Sequence, residues 1–191
     1  MRFLDTSIRG AQVIELAPFQ DERGSFARLH CEREFEQRGL PRQMVQTSLS
    51  ITRGRGTLRG LHFQAAPSRE GKLVRCVRGT VFDVVVDLRP SSPTYREYFA
   101  QELNDRTYVA LFIPAGCAHG FETLTDEAAV LYQMTDFYQP ELSRGVRWND
   151  PAFGIRWPLV PTALNERDRT YPDFTDDLVR GFADDYVGAI L

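Results

Sequence analysis

Three runs decide the fold: Leu58-Arg59-Gly60-Leu61-His62-Phe63-Gln64, Gly71-Lys72-Leu73-Val74-Arg75 and Val81-Phe82-Asp83-Val84-Val85-Val86-Asp87-Leu88-Arg89. They are short, apolar and rich in strand-forming residues, and glycines punctuate them. A histidine, a lysine and two aspartates lie inside these runs, where an uncompensated buried charge costs on the order of several kcal/mol. Between Val81 and Leu88, the residues Phe82, Val84, Val86 and Leu88 share one strand face, and Val81, Asp83, Val85 and Asp87 share the other. One face is wholly apolar and the other mixed. Either the mixed face carries ion pairs in solvent, or it lines a polar pocket inside a barrel. On both readings Asp83 needs a cation, and Lys72 on the preceding strand is expected to pair with it across a tight turn at Gly79-Thr80.

Outward from this centre, the pattern stays β. Val13-Ile14-Glu15-Leu16 reads as a strand, Asp21-Glu22-Arg23-Gly24 as a turn, and Ser25 to His30 as an alternating strand. Glu32 to Arg38 is a short helix, stopped by Gly39 and Pro41. Gln43 to Thr52 is extended. Tyr98 to Leu103, Thr107 to Ile113, Gly120 to Leu124 and Ala128 to Thr135 are four more strands, at the spacing of a sandwich or barrel. Beyond Pro151 the pattern gives way to proline-punctuated loops, and Leu178, Phe182, Tyr186 and Ile190 recur at helical spacing, which predicts a terminal helix over Asp176 to Ile190. No repeat or linker divides the chain, so residues 1–191 are expected to form a single all-β domain with a short C-terminal helical tail.

Charge and cysteine content narrow the function. The 191 residues carry a net charge of −3 at pH 7, so no basic field steers the chain toward nucleic acid or anionic lipid. Cys31, Cys76 and Cys117 are odd in number and widely spaced, which fits neither a disulfide framework nor a thiolate metal site and points to a reducing cytoplasm. The early apolar run is too short for a signal peptide, and no later run approaches a membrane span.

The chemistry concentrates at two histidines. His62 lies between Leu61 and Phe63, and His119 follows Ile113-Pro114-Ala115-Gly116-Cys117-Ala118. The P-x-G-x-x-H pattern after a strand suggests the second half of a cupin motif. The first half normally supplies H-x-H and a glutamate to hold a metal, whereas this chain reads His62-Phe63-Gln64. Three histidines in all cannot readily complete such a site, and glutamine is a poor ligand. The expectation is a cupin jelly roll without a metal or other cofactor.

These runs, with Ile113-Pro114 through Phe121 and Trp148-Asn149-Asp150-Pro151, resemble the dTDP-4-dehydrorhamnose 3,5-epimerases from about Val13 to Asp168. The resemblance implies a metal-free double-stranded β-helix of the cupin kind, usually a homodimer, acting on nucleotide-linked 4-keto-6-deoxyhexoses. It implies that His62 is the base, Tyr132 the opposing acid, and Lys72 and Asp168 their supports. Around the diphosphate and sugar it places Arg23, Arg59 and His119, with Asp83 nearby, and it places Phe26 and Tyr138 about the base, Phe26 by way of a strand exchanged with the partner. The family commonly carries a glutamate where Arg28 stands and an asparagine where Ser48 stands, beside Gln46. Since arginine has only donors, nucleotide choice between dTDP and CDP stays open at this level.

The implied residue types suit the implied reaction. A C–H beside a ketone becomes acidic only when charge arriving on the ketone oxygen is stabilised, which a lysine ammonium can do. Histidine is the base whose ordinary pKa lies near neutrality, and a carboxylate fixes its tautomer. Inversion needs a proton from the opposite face, which a tyrosine can give. Taken alone, Tyr132 reads as core packing and His62 as a structural histidine. Whether C3, C5 or both are inverted is open, since both flank the same ketone. A metal-dependent cupin oxygenase lacks its ligands here, and a non-catalytic sugar-nucleotide-binding module would not need His62, Lys72 and Tyr132 together.

Overall fold

The computed structural model describes residues 1–182. Its strands, numbered in chain order, form two antiparallel sheets and a hairpin. The larger sheet runs β1 (Arg2–Asp5), β2 (Gln12–Glu15), β10 (Val109–Ile113), β7 (Lys72–Arg78), β12 (Glu127–Met134), β5 (Gln46–Arg53). The smaller runs β13 (Ser143–Gly145), β6 (Leu58–Gln64), β11 (Cys117–Thr123), β8 (Thr80–Asp87), β9 (Tyr98–Asn104). The hairpin pairs β3 (Phe19–Asp21) with β4 (Gly24–Phe26). Consecutive strands alternate between sheets over much of the chain, giving the jelly roll expected from the sequence.

Three apolar clusters hold the layers together. Val74, Cys76, Leu111 and Val130 from the larger sheet meet Val81, Val85, Leu103 and Phe121 from the smaller, and this is the core between them. Outside the smaller sheet, Leu61, Phe63, Val84 and Val86 pack under Phe153, Phe174 and Val179 of the C-terminal segment. Outside the larger sheet, Leu73, Ala110 and Phe112 pack against Phe35 of α1 (Glu32–Gln37) and Leu40. Burying an aliphatic or aromatic side chain contributes roughly 1.5–3 kcal/mol, so the C-terminal loops are structural as well as connecting. Asp150, in the Trp148-Asn149-Asp150-Pro151 stretch, fastens them: it is 3% exposed and accepts from Phe174 N at 2.6 Å and Ala152 N at 2.8 Å.

The wholly apolar face of β8 thus looks outward beneath the C-terminal segment, and the mixed face looks into the sandwich. This settles the choice between surface and interior for Asp83, and it corrects the expected partner. Gly79, at φ 73°, does not close a hairpin; it carries the chain from β7 in one sheet to β8 in the other. Lys72 and Asp83 therefore never become cross-strand neighbours. Lys72 pairs with Glu70, and Asp83 pairs with His119.

Other elements differ in smaller ways. Of the expected Ser25–His30 strand only Ser25 and Phe26 are regular, within β4, because the partner β3 is three residues long. β1 and β3 escape a periodicity argument for the same reason. Of the expected terminal helix over Asp176 to Ile190, the described residues show one 3-10 turn at Asp176–Val179, and Tyr186 and Ile190 lie outside them.

Candidate active site

The two sheets part at one end around a cavity of about 500 Å³ and an adjoining lobe of about 230 Å³. His62, Lys72 and Tyr132 line both. The larger space is bounded by Gln46 and Ser48 on β5, Met134 on β12, and Glu70, Tyr138 and Arg167 on loops and α2 (Glu166–Thr170). The smaller is bounded by Ser50, Arg59, His119, Asn165 and Asp168.

Strict alternation along β6 would send Arg59 and His62 to opposite faces, since they are three residues apart. A bulge brings both inward: Arg59 lies opposite Phe121 and His62 opposite His119, so three steps on β6 match two on β11. Glycines permit the close approach. Gly60 sits at φ 128°, and a Cβ there would stand 2.5 Å from Gly120 Cα. The same bulge turns Gly60 N toward Asp168, 3.0 Å away.

Asp168 is fully buried and half-exposed His62 stands over it, with Nε2 2.7 Å from Oδ1. Asn165 caps α2 by accepting from Asp168 N at 2.7 Å, which fixes the carboxylate's starting point. Burial pushes the Asp168 carboxyl up, but the His62 hydrogen bond and charge and the Gly60 N–H outweigh it, so its pKa lies below the ordinary value. An ionised carboxylate only accepts. His62 Nε2 is therefore the N–H donor, and Nδ1 keeps its lone pair for the cavity.

Tyr132 faces this histidine from the other sheet, opposite Ser48 on β5 and Val74 on β7. Burial first, and then the charge of Asp83, raise its pKa, with Arg59 opposing them. The phenol is thus held protonated. His119 packs edge-on against it, ring centroids 5.8 Å apart, and pairs at 2.9 Å with Asp83. Asp83 is 0% exposed and stands behind His119, so it does not form the binding surface expected of it. Arg59 Nε donates to Thr52 Oγ1 at 2.9 Å, which holds the guanidinium in the smaller lobe.

Gln46, Ser48 and Tyr138 meet at the mouth of the larger cavity, where Gln46 Oε1 accepts from Tyr138 N at 2.5 Å. Arg23, Phe26 and Arg28 are not brought to it within one chain. Arg23 is bound to Asp21 on the exposed hairpin, Phe26 is 76% exposed, and Arg28 lies in solvent 3.6 Å from Glu34. In their place stand residues that the sequence did not single out. Arg167 immediately precedes Asp168 on α2, and Ser143 and Glu70 complete the wall. Tyr171 fills the space that the missing side chain of Gly145 leaves and packs edge-on behind His62 at 6.3 Å. Adjacency to Asp168 is the one signal for Arg167; Glu70 lies in a loop, Ser143 on a three-residue strand and Tyr171 at the end of a one-turn helix, all too short for a periodic pattern. Among the described residues, no group of three His, Cys, Asp or Glu side chains is placed to hold a metal ion.

Comparison with known proteins places the chain in a family. The family model described as dTDP-4-dehydrorhamnose 3,5-epimerase matches residues 5–176. A protein of that name from Methanothermobacter thermautotrophicus is 44% identical over 181 residues, covering 93% of this chain and 97% of its own. The crystal structure of the enzyme of that name from Elizabethkingia anophelis superposes with a TM-score of 0.89 at 36% identity, covering 93% of this chain and 98% of that one. A Legionella pneumophila epimerase solved in complex with dTDP-4-keto-L-rhamnose superposes at a TM-score of 0.83 and 36% identity, covering 87% of this chain and 89% of that one. The chain belongs to the dTDP-4-dehydrorhamnose 3,5-epimerase family of isomerases.

Proposed function

We propose that this cavity binds a dTDP-linked 4-keto-6-deoxyhexose and inverts carbon centres beside its ketone, converting dTDP-4-dehydro-6-deoxy-D-glucose to dTDP-4-dehydro-L-rhamnose. The observation that carries the reading is that His62 and Tyr132 come from opposite sheets and face the same space, with Lys72 on the wall they share. A base and an acid so placed can work on the two faces of one sugar ring.

In this reading His62 Nδ1 takes the proton from C3 or C5, and the C–H electron pair moves into the enolate. Asp168 stabilises the resulting imidazolium through Nε2–H. Lys72 donates to the ketone oxygen as its charge grows. Tyr132 then returns a proton from the opposite face, and solvent restores both groups. A phenol with raised pKa suffices, because the enolate carbon is a strong base. Gln46, Ser48, Tyr138 and Arg167 receive the nucleotide end, where the Arg167 guanidinium suits a phosphate oxygen.

A homodimer completes the assembly in this proposal. On the outer face of the larger sheet, Leu49 and Ile51 are 55% and 57% exposed, and Leu131 lies opposite Leu49. A contiguous apolar strip of this kind on an edge strand is suited to a second copy. The exposed hairpin with Arg23 and Phe26 could then reach across to the neighbour. The single-domain organisation and a cytoplasmic location belong to the same proposal; no helix among the described residues is long and apolar enough to cross a membrane.

The test is incubation with dTDP-4-dehydro-6-deoxy-D-glucose in D₂O, followed by NMR at C3 and C5. Deuterium entering either centre with inverted configuration is expected. Retention of both protons while the ligand binds would sink the epimerase reading in favour of a binding module.

A further inference from the structure

We infer that Glu70 is a positioning residue of this reaction, acting through Lys72; the inference rests on the function proposed above. Glu70 lines the larger cavity with a side chain only 5% exposed, and its Oε1 lies 2.5 Å from Lys72 Nζ. Its second oxygen accepts from Gln64 Nε2 at 3.1 Å. Gln64 is itself immobilised: 6% exposed, it accepts from Gln139 N at 2.8 Å and donates to Phe137 O at 3.1 Å. The ammonium is thus tied through Glu70 and Gln64 to the backbone beyond β12.

The arrangement separates two ways in which Lys72 could act. A carboxylate in contact with the ammonium opposes its positive field at any third point. If Lys72 served only as a distant positive charge, Glu70 would work against it. If Lys72 serves as an aimed donor, Glu70 helps, because a lysine is a flexible four-carbon stem whose ammonium has three N–H groups. One N–H goes to Glu70 and orients the other two toward the cavity. The buried Glu70–Gln64 pair therefore supplies direction.

The experiment compares wild type, Glu70→Gln, Glu70→Asp, Lys72→Met and the double variant Glu70→Gln/Lys72→Met. Measured quantities are kcat and KM for the dTDP-4-keto sugar, dTDP affinity and melting temperature. Glu70→Gln is expected to lower kcat about 10- to 100-fold, the range that misplacement of a catalytic group produces. KM, dTDP affinity and melting temperature should stay near wild type. Glu70→Asp, which keeps the charge one methylene short, should recover part of kcat. In the Lys72→Met background, Glu70→Gln should cost nothing further, since its effect passes through the missing ammonium. A Glu70→Gln kcat within about threefold of wild type, an equal additional loss in the double variant, or Glu70→Asp no better than Glu70→Gln would each overturn the inference. Those outcomes in an active wild type leave the epimerase reading standing, whereas a wild type without turnover removes both.

Discussion

Two histidine–aspartate pairs sit side by side in this fold, because His62 and His119 are register partners on β6 and β11. Their distances are close, 2.7 Å for His62–Asp168 and 2.9 Å for His119–Asp83, and both carboxylates are fully buried. Their electrostatics are opposite. Asp168 receives His62 Nε2 on one oxygen and Gly60 N on the other, and its pKa is lowered. Among the described residues Asp83 receives only His119 and its Oδ1 has no hydrogen-bond partner, and burial holds its pKa up. Both have a histidine partner, but Asp83 is the more deeply desolvated, and Asp168 is favoured in addition by the Gly60 N–H and the Arg167 charge, so burial wins at one carboxylate and the compensating groups win at the other. The histidines differ in access to match: the His62 side chain is 41% exposed toward the cavity and that of His119 only 5%. In the proposed reaction the first pair moves protons, and the second shapes the wall beside Tyr132.

The harshest way to test this division is to remove the groups assigned to proton transfer. His62→Ala and Tyr132→Phe should each lower kcat about 10²- to 10⁴-fold, the range for loss of a general acid or base, while dTDP binding measured by calorimetry stays nearly unchanged. Tyr132→Phe should still exchange substrate C–H protons with D₂O, because the base survives. His119→Ala should cost markedly less than His62→Ala; equal losses would erase the distinction between the pairs.

Asp168→Asn comes next. An amide in place of the carboxylate no longer stabilises the imidazolium and no longer demands Nε2–H, so a kcat loss of about 10²-fold or more is expected with a small change in KM. The variant also has a pH signature. Because the folded-state pKa of Asp168 is depressed, its contribution to stability is present above the ordinary carboxylate value of about 3.9 and is lost as pH falls through the folded value. The melting temperature of the variant should therefore lie below wild type at neutral pH and converge with it in acid. A gap constant with pH would mean that the carboxylate's charge is irrelevant.

How much of this could be read from the chain follows from where periodicity reaches. The runs around β6, β7, β8, β10, β11 and β12 announce themselves by their strand-forming residues, and His62, Lys72, His119 and Tyr132 all lie on them. Alternation does not say which sheet a strand joins, and that is why the sequence suggests Lys72 as the partner of Asp83 although Gly79 separates the sheets. Nor does it foresee the Gly60 bulge that turns Arg59 inward beside His62. Asp168 entered only through family resemblance, since a short helix in a proline-rich region has no pattern of its own. Glu70 and Arg167 share that difficulty. Arg23 and Phe26 belong to a hairpin that contacts neither cavity within one chain.

Tyr132 offers a stability test of the same electrostatics. A buried phenol with a raised pKa leaves folding unaffected below the ordinary tyrosine value of about 10, and costs stability as pH rises beyond it, because only the unfolded chain ionises freely. Wild type should lose up to about 1.4 kcal/mol per pH unit relative to Tyr132→Phe above that value. Chemical denaturation of the two proteins at pH 9, 10 and 11 measures the difference. Parallel curves would show that Tyr132 ionises as easily in the fold as in water, and would remove the argument that it stands ready as an acid.

The smallest expected effect is the most discriminating between the two carboxylates. Asp83 holds a desolvated charge with one oxygen unsatisfied, so above its raised folded pKa the native state bears a cost that disappears as the carboxyl protonates. Asp83→Asn keeps an oxygen that can accept from His119 and removes the charge. Stability at pH 7 should be unchanged or higher by on the order of 1 kcal/mol, and the advantage should shrink as pH is lowered toward 4. That dependence runs opposite to the one expected for Asp168→Asn. The substitution also removes a charge that raises the Tyr132 pKa, so the alkaline loss of stability, which begins near the ordinary tyrosine value in both proteins, should level off at lower pH in the variant than in wild type, with kcat at neutral pH changed by less than about tenfold. A marked destabilisation by Asp83→Asn at pH 7 would mean that the His119–Asp83 contact stabilises the fold through its charge as its neighbour does, and the contrast between a proton-moving pair and a wall-shaping pair would fail.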